Sequence, residues 1–173
     1  MEKTSTTLIL ARHGETFDNE NRIMQGQTQG RLNKIGIEQA SKLAAEMKER
    51  HIDVFVSSDL NRAVETCRIV AEQHGMPVVT TPLLRERDWG AFTGRFIPDI
   101  KDEPFPEDVE PLNSMLHRAQ RFLDFISGQY RGKTVFAVGH GIINKAIQAR
   151  YHNRQMKDIE PMYNAEVRTL LLP

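Results

Sequence analysis

The sequence predicts an α/β fold, a three-layer sandwich whose mainly parallel central sheet is flanked by helices. Two observations carry this expectation. Short β-favouring runs alternate with apolar patterns of helical period along the chain. Three of those runs also stop at polar clusters, where strands of an open α/β sheet hand over to ligand-binding loops.

Residues 6–11 form the first run, which stops at Arg12-His13-Gly14. Ile37, Ala40, Leu43, Ala44 and Met47 then recur at helical spacing behind Asn33, a suitable N-cap. Residues 53–56 form the second run and stop at Ser57-Ser58-Asp59. Asp59 is expected to cap the helix marked by Leu60, Ala63, Val64, Cys67, Val70 and Ala71. That helix should end where Gly75 can take the left-handed conformation and Pro77 prevents continuation. After a short strand at residues 78–80, Pro98, Pro104, Pro106 and Pro111 make residues 92–111 an irregular, lid-like excursion. Leu112, Met115, Leu116, Ala119, Phe122, Leu123 and Ile126 mark a third amphipathic helix ending near Gly128. Residues 134–138 read as a strand stopping at Gly139-His140-Gly141, followed by the helical pattern Ile143, Ala146, Ile147 and a last strand at residues 167–172.

A chain of 173 residues is the size of one compact domain, so residues 1–173 read as a single unit. With 39% hydrophobic and 27% charged residues, order is expected beyond the first few positions. Lys plus Arg equals Asp plus Glu at 23 each, so no net field draws the chain to nucleic acid or an anionic membrane. An anion must therefore be held locally. Leu8-Ile9-Leu10-Ala11 is too short for a signal-peptide core, and no stretch approaches a membrane span. The single cysteine fits a reducing cytoplasm, and Cys67 lies on the apolar stripe of its helix as a small buried thiol.

The polar clusters at the strand ends suit phosphoryl chemistry. Without a metal, charge on phosphoryl oxygens needs guanidinium, imidazole and backbone N–H donors, and Arg12, Arg62 and His140 supply candidates. A neutral imidazole can attack phosphorus, which suits His13 beside Arg12. Glu86, in Leu84-Arg85-Glu86-Arg87-Asp88-Trp89-Gly90, can protonate a leaving alkoxide and then deprotonate water.

These residues resemble the histidine phosphatase superfamily, also called phosphoglycerate mutase-like. The resemblance rests on Arg12-His13-Gly14-Glu15-Thr16 with Asn19, on Ser57-Ser58-Asp59-Leu60-Asn61-Arg62-Ala63 with Glu65-Thr66, on Glu86 with Gly90 and Gly94, and on Gly139-His140-Gly141. The motifs stand in family order over nearly the whole chain. The resemblance implies that His13 becomes phosphorylated, that Arg12, Arg62 and His140 bind the phosphoryl group, and that Glu86 is acid and base. It further implies that Asn19, Gln25 and Gly26 line the pocket, with Gly141 beside the second histidine and Arg87 contacting a second anionic group. A small phosphorylated substrate is implied, and no cofactor. Oligomeric state stays open.

Competing readings are weaker. His51, His74, His117 and His152 read as surface or satisfied core residues. A cysteine phosphatase needs an anion-binding loop after its cysteine, whereas the residues after Cys67 continue a helix. No spacing suits a hydrolytic metal site, and no Gly-x-Gly-x-x-Gly follows a strand, so neither metal nor dinucleotide is expected. Ile142-Ile143 stands where mutases usually carry a polar pair, and residues 92–111 hold no large basic insertion, which favours a phosphatase. A mutase-type phosphotransferase and a catalytically idle phospholigand-binding protein are the alternatives.

Overall fold

The computed structural model describes residues 4–173; the first three positions, on which no expectation of order was placed, lie outside the described residues. Five strands form one sheet: β1 (Thr6–Arg12), β2 (Val54–Ser58), β3 (Val78–Thr81), β4 (Thr134–Gly139) and β5 (Val167–Leu172). Their spatial order is β3-β2-β4-β1-β5. Every pairing is parallel except that of β1 with the edge strand β5.

Successive strand side chains face opposite layers, and the core divides accordingly. Leu8, Leu10, Val56, Val135 and Ala137 pack with Met115, Phe122 and Ile147, from α5 (Leu112–Gln129) and α6 (Gly141–His152). On the other face, Ile9, Ala11, Phe55, Phe136 and Val138 meet Leu43, Ala44, Cys67 and Val70, from α2 (Lys34–Met47) and α3 (Asn61–Glu72). A further single-turn helix, α1 (Phe17–Glu20), follows the end of β1. No described helix is long and apolar enough to cross a membrane.

The local expectations largely hold. Asn33 caps α2 by accepting from Gly36 N at 2.8 Å, and Gly75 takes φ +63° beyond α3. Asp59 does not cap α3. The N-cap is Leu60, with no side-chain cap bond, while Asp59 takes a bidentate pair from Arg85 at 2.8 and 2.7 Å. The first N–H groups of α3 go instead to Gln29: Asn61 N donates to its Oε1 and Arg62 N to its carbonyl, both at 3.0 Å. A residue about thirty positions away thus performs the cap, which no local pattern can indicate.

Residues 92–111 are irregular apart from the short α4 (Ile97–Ile100), yet they are anchored. Phe92, Ile100 and Val109 form a small core of their own with Met24 and Trp89 beside it. Backbone bonds from Met24 N to Arg95 O and from Ile97 N to Arg22 O tie the segment to the loop after β1.

Candidate active site

Parallel register builds the centre of the site. β1 and β4 pair Arg12 with Gly139, so the next residues, His13 and His140, leave the sheet side by side. Their ring centroids lie 5.1 Å apart, close to the spacing between neighbouring strands. On the far side of β4, β2 ends with Ser58, whose Oγ lies 2.9 Å from His140 Nε2.

The His13 segment is held from several directions. Its carbonyl accepts from Asn164 Nδ2 at 3.1 Å, and Gly14 N donates to Thr66 Oγ1 at 3.0 Å. Nδ1 of His13 lies 2.7 Å from Gly14 O, and because a carbonyl only accepts, Nδ1 carries the proton. Nε2 of the neutral ring is then left with its lone pair. Burial holds the His13 pKa well below the usual imidazole value, and the nearby charges of Arg62 and Arg12 act in the same direction. His140 is lowered likewise, by burial first and then by Arg62, His13 and Arg12.

Arg62 is almost wholly buried and is aimed by the loop before α2: Nη1 donates to Thr28 O and Nη2 to Gly26 O at 2.8 Å. Its pKa falls to about 10, chiefly through desolvation, so the guanidinium remains charged near neutral pH. Arg12 donates through Nη1 to Met162 O at 2.7 Å. A cavity of about 330 Å³ brings together Arg12, His13, Asn19, Gln25, Gly26, Arg62, Glu86 and Gly141. His140 is fully buried in ring contact with His13 and is not itself on the cavity wall.

Among the described residues, four buried side-chain polar atoms lack a hydrogen-bond partner, and three of them are nitrogens of this group: Arg12 Nε, Arg62 Nε and His140 Nδ1. The fourth is Asn144 Oδ1. Unpaired buried donors cost about 1–3 kcal/mol each, so two guanidinium Nε groups, with an unpartnered imidazole nitrogen near them, favour an oxyanion here.

Glu86 lies across the cavity on the N-terminus of α6. Its Oε2 accepts from Ile142 N at 3.1 Å, and its Oε1 accepts from Ile143 N at 3.2 Å and Arg87 N at 2.8 Å. Gly141 lies beside both groups: a Cβ there would be in ordinary contact with Arg12 Cζ at 3.6 Å and Glu86 Oε2 at 3.8 Å. The loop carrying Glu86 is held by Arg118, which donates to the carbonyls of Leu83, Arg85 and Glu86 and to Glu110 Oε1 at 2.9 Å.

Arg87 departs from the sequence expectation. It is absent from the cavity wall; its guanidinium lies 4.6 Å from the Trp89 ring centre and 5.3 Å from that of Phe105, and Nε donates to Glu110 O at 2.7 Å. It ties residues 92–111 to the Glu86 loop, away from the cavity wall. Asn19 and Gln25 line the cavity but also serve structure. Asn19 Oδ1 accepts from Thr16 N at 3.1 Å in the capping box of α1, and Gln25 Oε1 accepts from Thr16 Oγ1 at 2.9 Å.

Sequence reasoning missed Lys145, which lines the cavity with no hydrogen bond or ion pair among the described residues, and the apolar wall of Met24, Trp89, Ile97 and Ile142. Lys145 lies four residues after Gly141, one helical turn along α6, and that spacing was the available signal. The remaining histidines are not part of the site. His51 pairs with Asp53, His74 packs on Phe55, and His117 and His152 are exposed. Cys67 is buried, and burial pushes its thiol pKa up. No group of three or more His, Cys, Asp or Glu among the described residues could hold a metal ion.

The chain is 30% identical over 190 residues to a metal-independent phosphoserine phosphatase of Arabidopsis thaliana, covering 99% of this chain and 79% of that protein. It is also 40% identical over 96 residues to a probable phosphoglycerate mutase of Yersinia pestis; this match covers 56% of this chain and 45% of the mutase, less than half its length. Among solved structures, mycobacterial glucosyl-3-phosphoglycerate phosphatase superposes with a TM-score of 0.87 at 25% identity, covering 96% of this chain and 90% of that one. The family model of the histidine phosphatase superfamily, branch 1, matches residues 8–172, and the chain belongs to that superfamily.

Proposed function

We propose that this protein hydrolyses small phosphomonoesters through a phosphohistidine on His13, without a metal ion. The observation that carries the reading is the set of unpartnered buried nitrogens, Arg12 Nε, Arg62 Nε and His140 Nδ1, near an imidazole with a bare Nε2.

In this reading Nε2 of His13 attacks phosphorus as the bond to the ester oxygen breaks, and that oxygen takes a proton from the Glu86 carboxyl. Arg12, Arg62 and His140 hold the non-bridging oxygens throughout. Water then gives a proton to the Glu86 carboxylate and attacks phosphorus. The P–N bond breaks, inorganic phosphate leaves, and both side chains return to their starting states. Asn19, Gln25, Gly26 and Gly141 shape the entrance. Met24, Trp89, Ile97 and Ile142 offer an apolar face to the organic part of the substrate, and Lys145 offers a positive charge beside it. The named activities of the Arabidopsis and mycobacterial relatives concern phosphorylated compounds of this small size.

Hydrolysis is preferred to mutase-type transfer because Ile142 presents an apolar side chain on the wall where a transferring enzyme must hold a second polar group of its substrate. The test is turnover of a generic aryl phosphate by purified protein in excess chelator. Parent protein should release phosphate, and His13→Ala should reduce turnover by three orders of magnitude or more, on the order seen when a nucleophile is removed. Undiminished release by that variant would refute the assigned nucleophile. A panel of phosphosugars, phosphorylated hydroxy acids, nucleotides and phosphopeptides, ranked by kcat/KM, then identifies the leaving group and exposes any transfer in place of hydrolysis.

A further inference from the structure

We propose that Ser58 is a positioning residue that fixes the tautomer of His140 with its proton on Nδ1, so that this ring donates to the phosphoryl group held at His13. This rests on the phosphatase reading for its catalytic meaning, while the tautomer itself follows from the hydrogen bonding of the chain.

Ser58 is fully buried at the end of β2. Its Oγ accepts from Leu60 N at 3.2 Å and lies 2.9 Å from His140 Nε2. A hydroxyl has one proton to give. Among the described residues, the acceptor within reach of that proton is His140 Nε2. The Ser58 carbonyl is engaged separately, accepting from Ser57 Oγ at 2.8 Å.

With Ser58 donating, Nε2 of the neutral ring accepts and the ring proton resides on Nδ1, the nitrogen that has no partner. The opposite tautomer would donate Nε2–H to the second lone pair of Ser58 Oγ, beside the bond from Leu60 N. It would strand the buried serine proton and leave Nδ1 with a lone pair that repels an oxyanion. Leaving a buried hydroxyl unsatisfied is unfavourable by about 1–3 kcal/mol, enough to bias the ring strongly to one form. Burial and the two arginines keep the ring neutral, so the choice of nitrogen is meaningful.

The two histidines are thereby set in opposite senses by the nitrogen each one does not use. Gly14 O takes the proton of His13 Nδ1 and leaves Nε2 bare for attack. Ser58 Oγ occupies His140 Nε2 and leaves Nδ1–H for donation. Both partners come from the same strand-end layer: Gly14 follows β1, and Ser58 ends β2, the neighbour of β4.

Nitrogen-15 NMR of the full chain labelled at histidine reads the tautomer directly, with His140 assigned through His140→Gln. The parent protein should show His140 protonated at Nδ1 and bare at Nε2. In Ser58→Ala the signal should shift to a mixture or to the reverse form. Aryl phosphate turnover should then drop in kcat by at least about tenfold, as for other lost orienting partners of histidine, with a smaller change in KM. Ser58→Thr, which keeps the hydroxyl, should restore both. A parent spectrum with the proton on Nε2 overturns the proposal without recourse to any variant, as does a Ser58→Ala protein that keeps the parent tautomer. If the parent protein turns over no phosphomonoester, the phosphatase reading falls while the ring spectrum still decides the role of Ser58.

Discussion

Arg62 and Arg87 are both buried, both carry lowered pKa values through desolvation, and both stand beside motif residues that suggest anion binding. Their surroundings give them opposite uses. Around Arg62, carbonyls of Gly26 and Thr28 engage the two terminal nitrogens and leave Nε without a partner beside His13. Around Arg87, two aromatic rings lie against the guanidinium and Nε donates to the Glu110 carbonyl, outside the cavity wall. A buried cation marks a binding site when it stands on the cavity with a donor left over, and a structural joint when it is turned away against rings and backbone.

That contrast is broken most sharply at Arg62. Arg62→Ala should lower kcat/KM by about 10²–10³-fold, the range for removing one preorganised oxyanion donor, while vanadate binding weakens alongside it. A variant retaining near-parent kcat/KM would show that the leftover donor has no task. Next in size is the joint behind Glu86. Arg118 and Glu110 form a mostly enclosed ion pair, with side chains 15% and 13% exposed, and Arg118 also holds three carbonyls of the Glu86 loop. Arg118→Ala should destabilise the fold by about 3 kcal/mol in denaturant titration, because the Glu110 carboxylate is left buried without its cation. It should lower kcat as well, through displacement of Glu86.

The depressed imidazoles give the contrast a pH dependence. In the unfolded chain His13 and His140 protonate near pH 6.5, whereas in the fold burial and the neighbouring arginines keep them neutral to lower pH. The unfolded state therefore binds more protons below about pH 6.5, and stability falls as pH is lowered from there towards the folded pKa values. The slope should approach about 1.4 kcal/mol per pH unit for each imidazole. Stability curves of His140→Gln should be flatter across that window, and an unchanged slope would contradict the lowered values. The smallest effect on turnover is expected at Arg87. Arg87→Met should destabilise by about 1–2 kcal/mol through lost ring contacts and the Glu110 bond, yet leave kcat/KM near the parent value. A large selective rise in KM for substrates with two anionic groups would instead return Arg87 to the binding surface.

Much of this molecule is readable before any tertiary contact is considered. The strand runs appear within one or two residues of their structural limits, because alternation and helical period are local consequences of which face must be buried. The polar residues at the ends of β1, β2 and β4 are legible for the same reason, and the histidine phosphatase motifs add the link between them. Arg62 against Arg87 and the capping of α3 by Gln29 in place of Asp59 were not legible, while Lys145 was signalled only by its spacing from Gly141.

By itself, the order of residues determined the sequence of strands and helices and the identity of the groups delivered to the carboxyl edge of the sheet. Only the tertiary structure decided which of those groups keeps an unengaged donor, which helix end is capped from afar, and which nitrogen of each imidazole holds its proton. The physical reason is that burial pattern repeats over a few residues, whereas hydrogen-bond partners such as Arg62 with Thr28 or His140 with Ser58 lie 34 and 82 positions apart and are chosen only when the chain closes on itself.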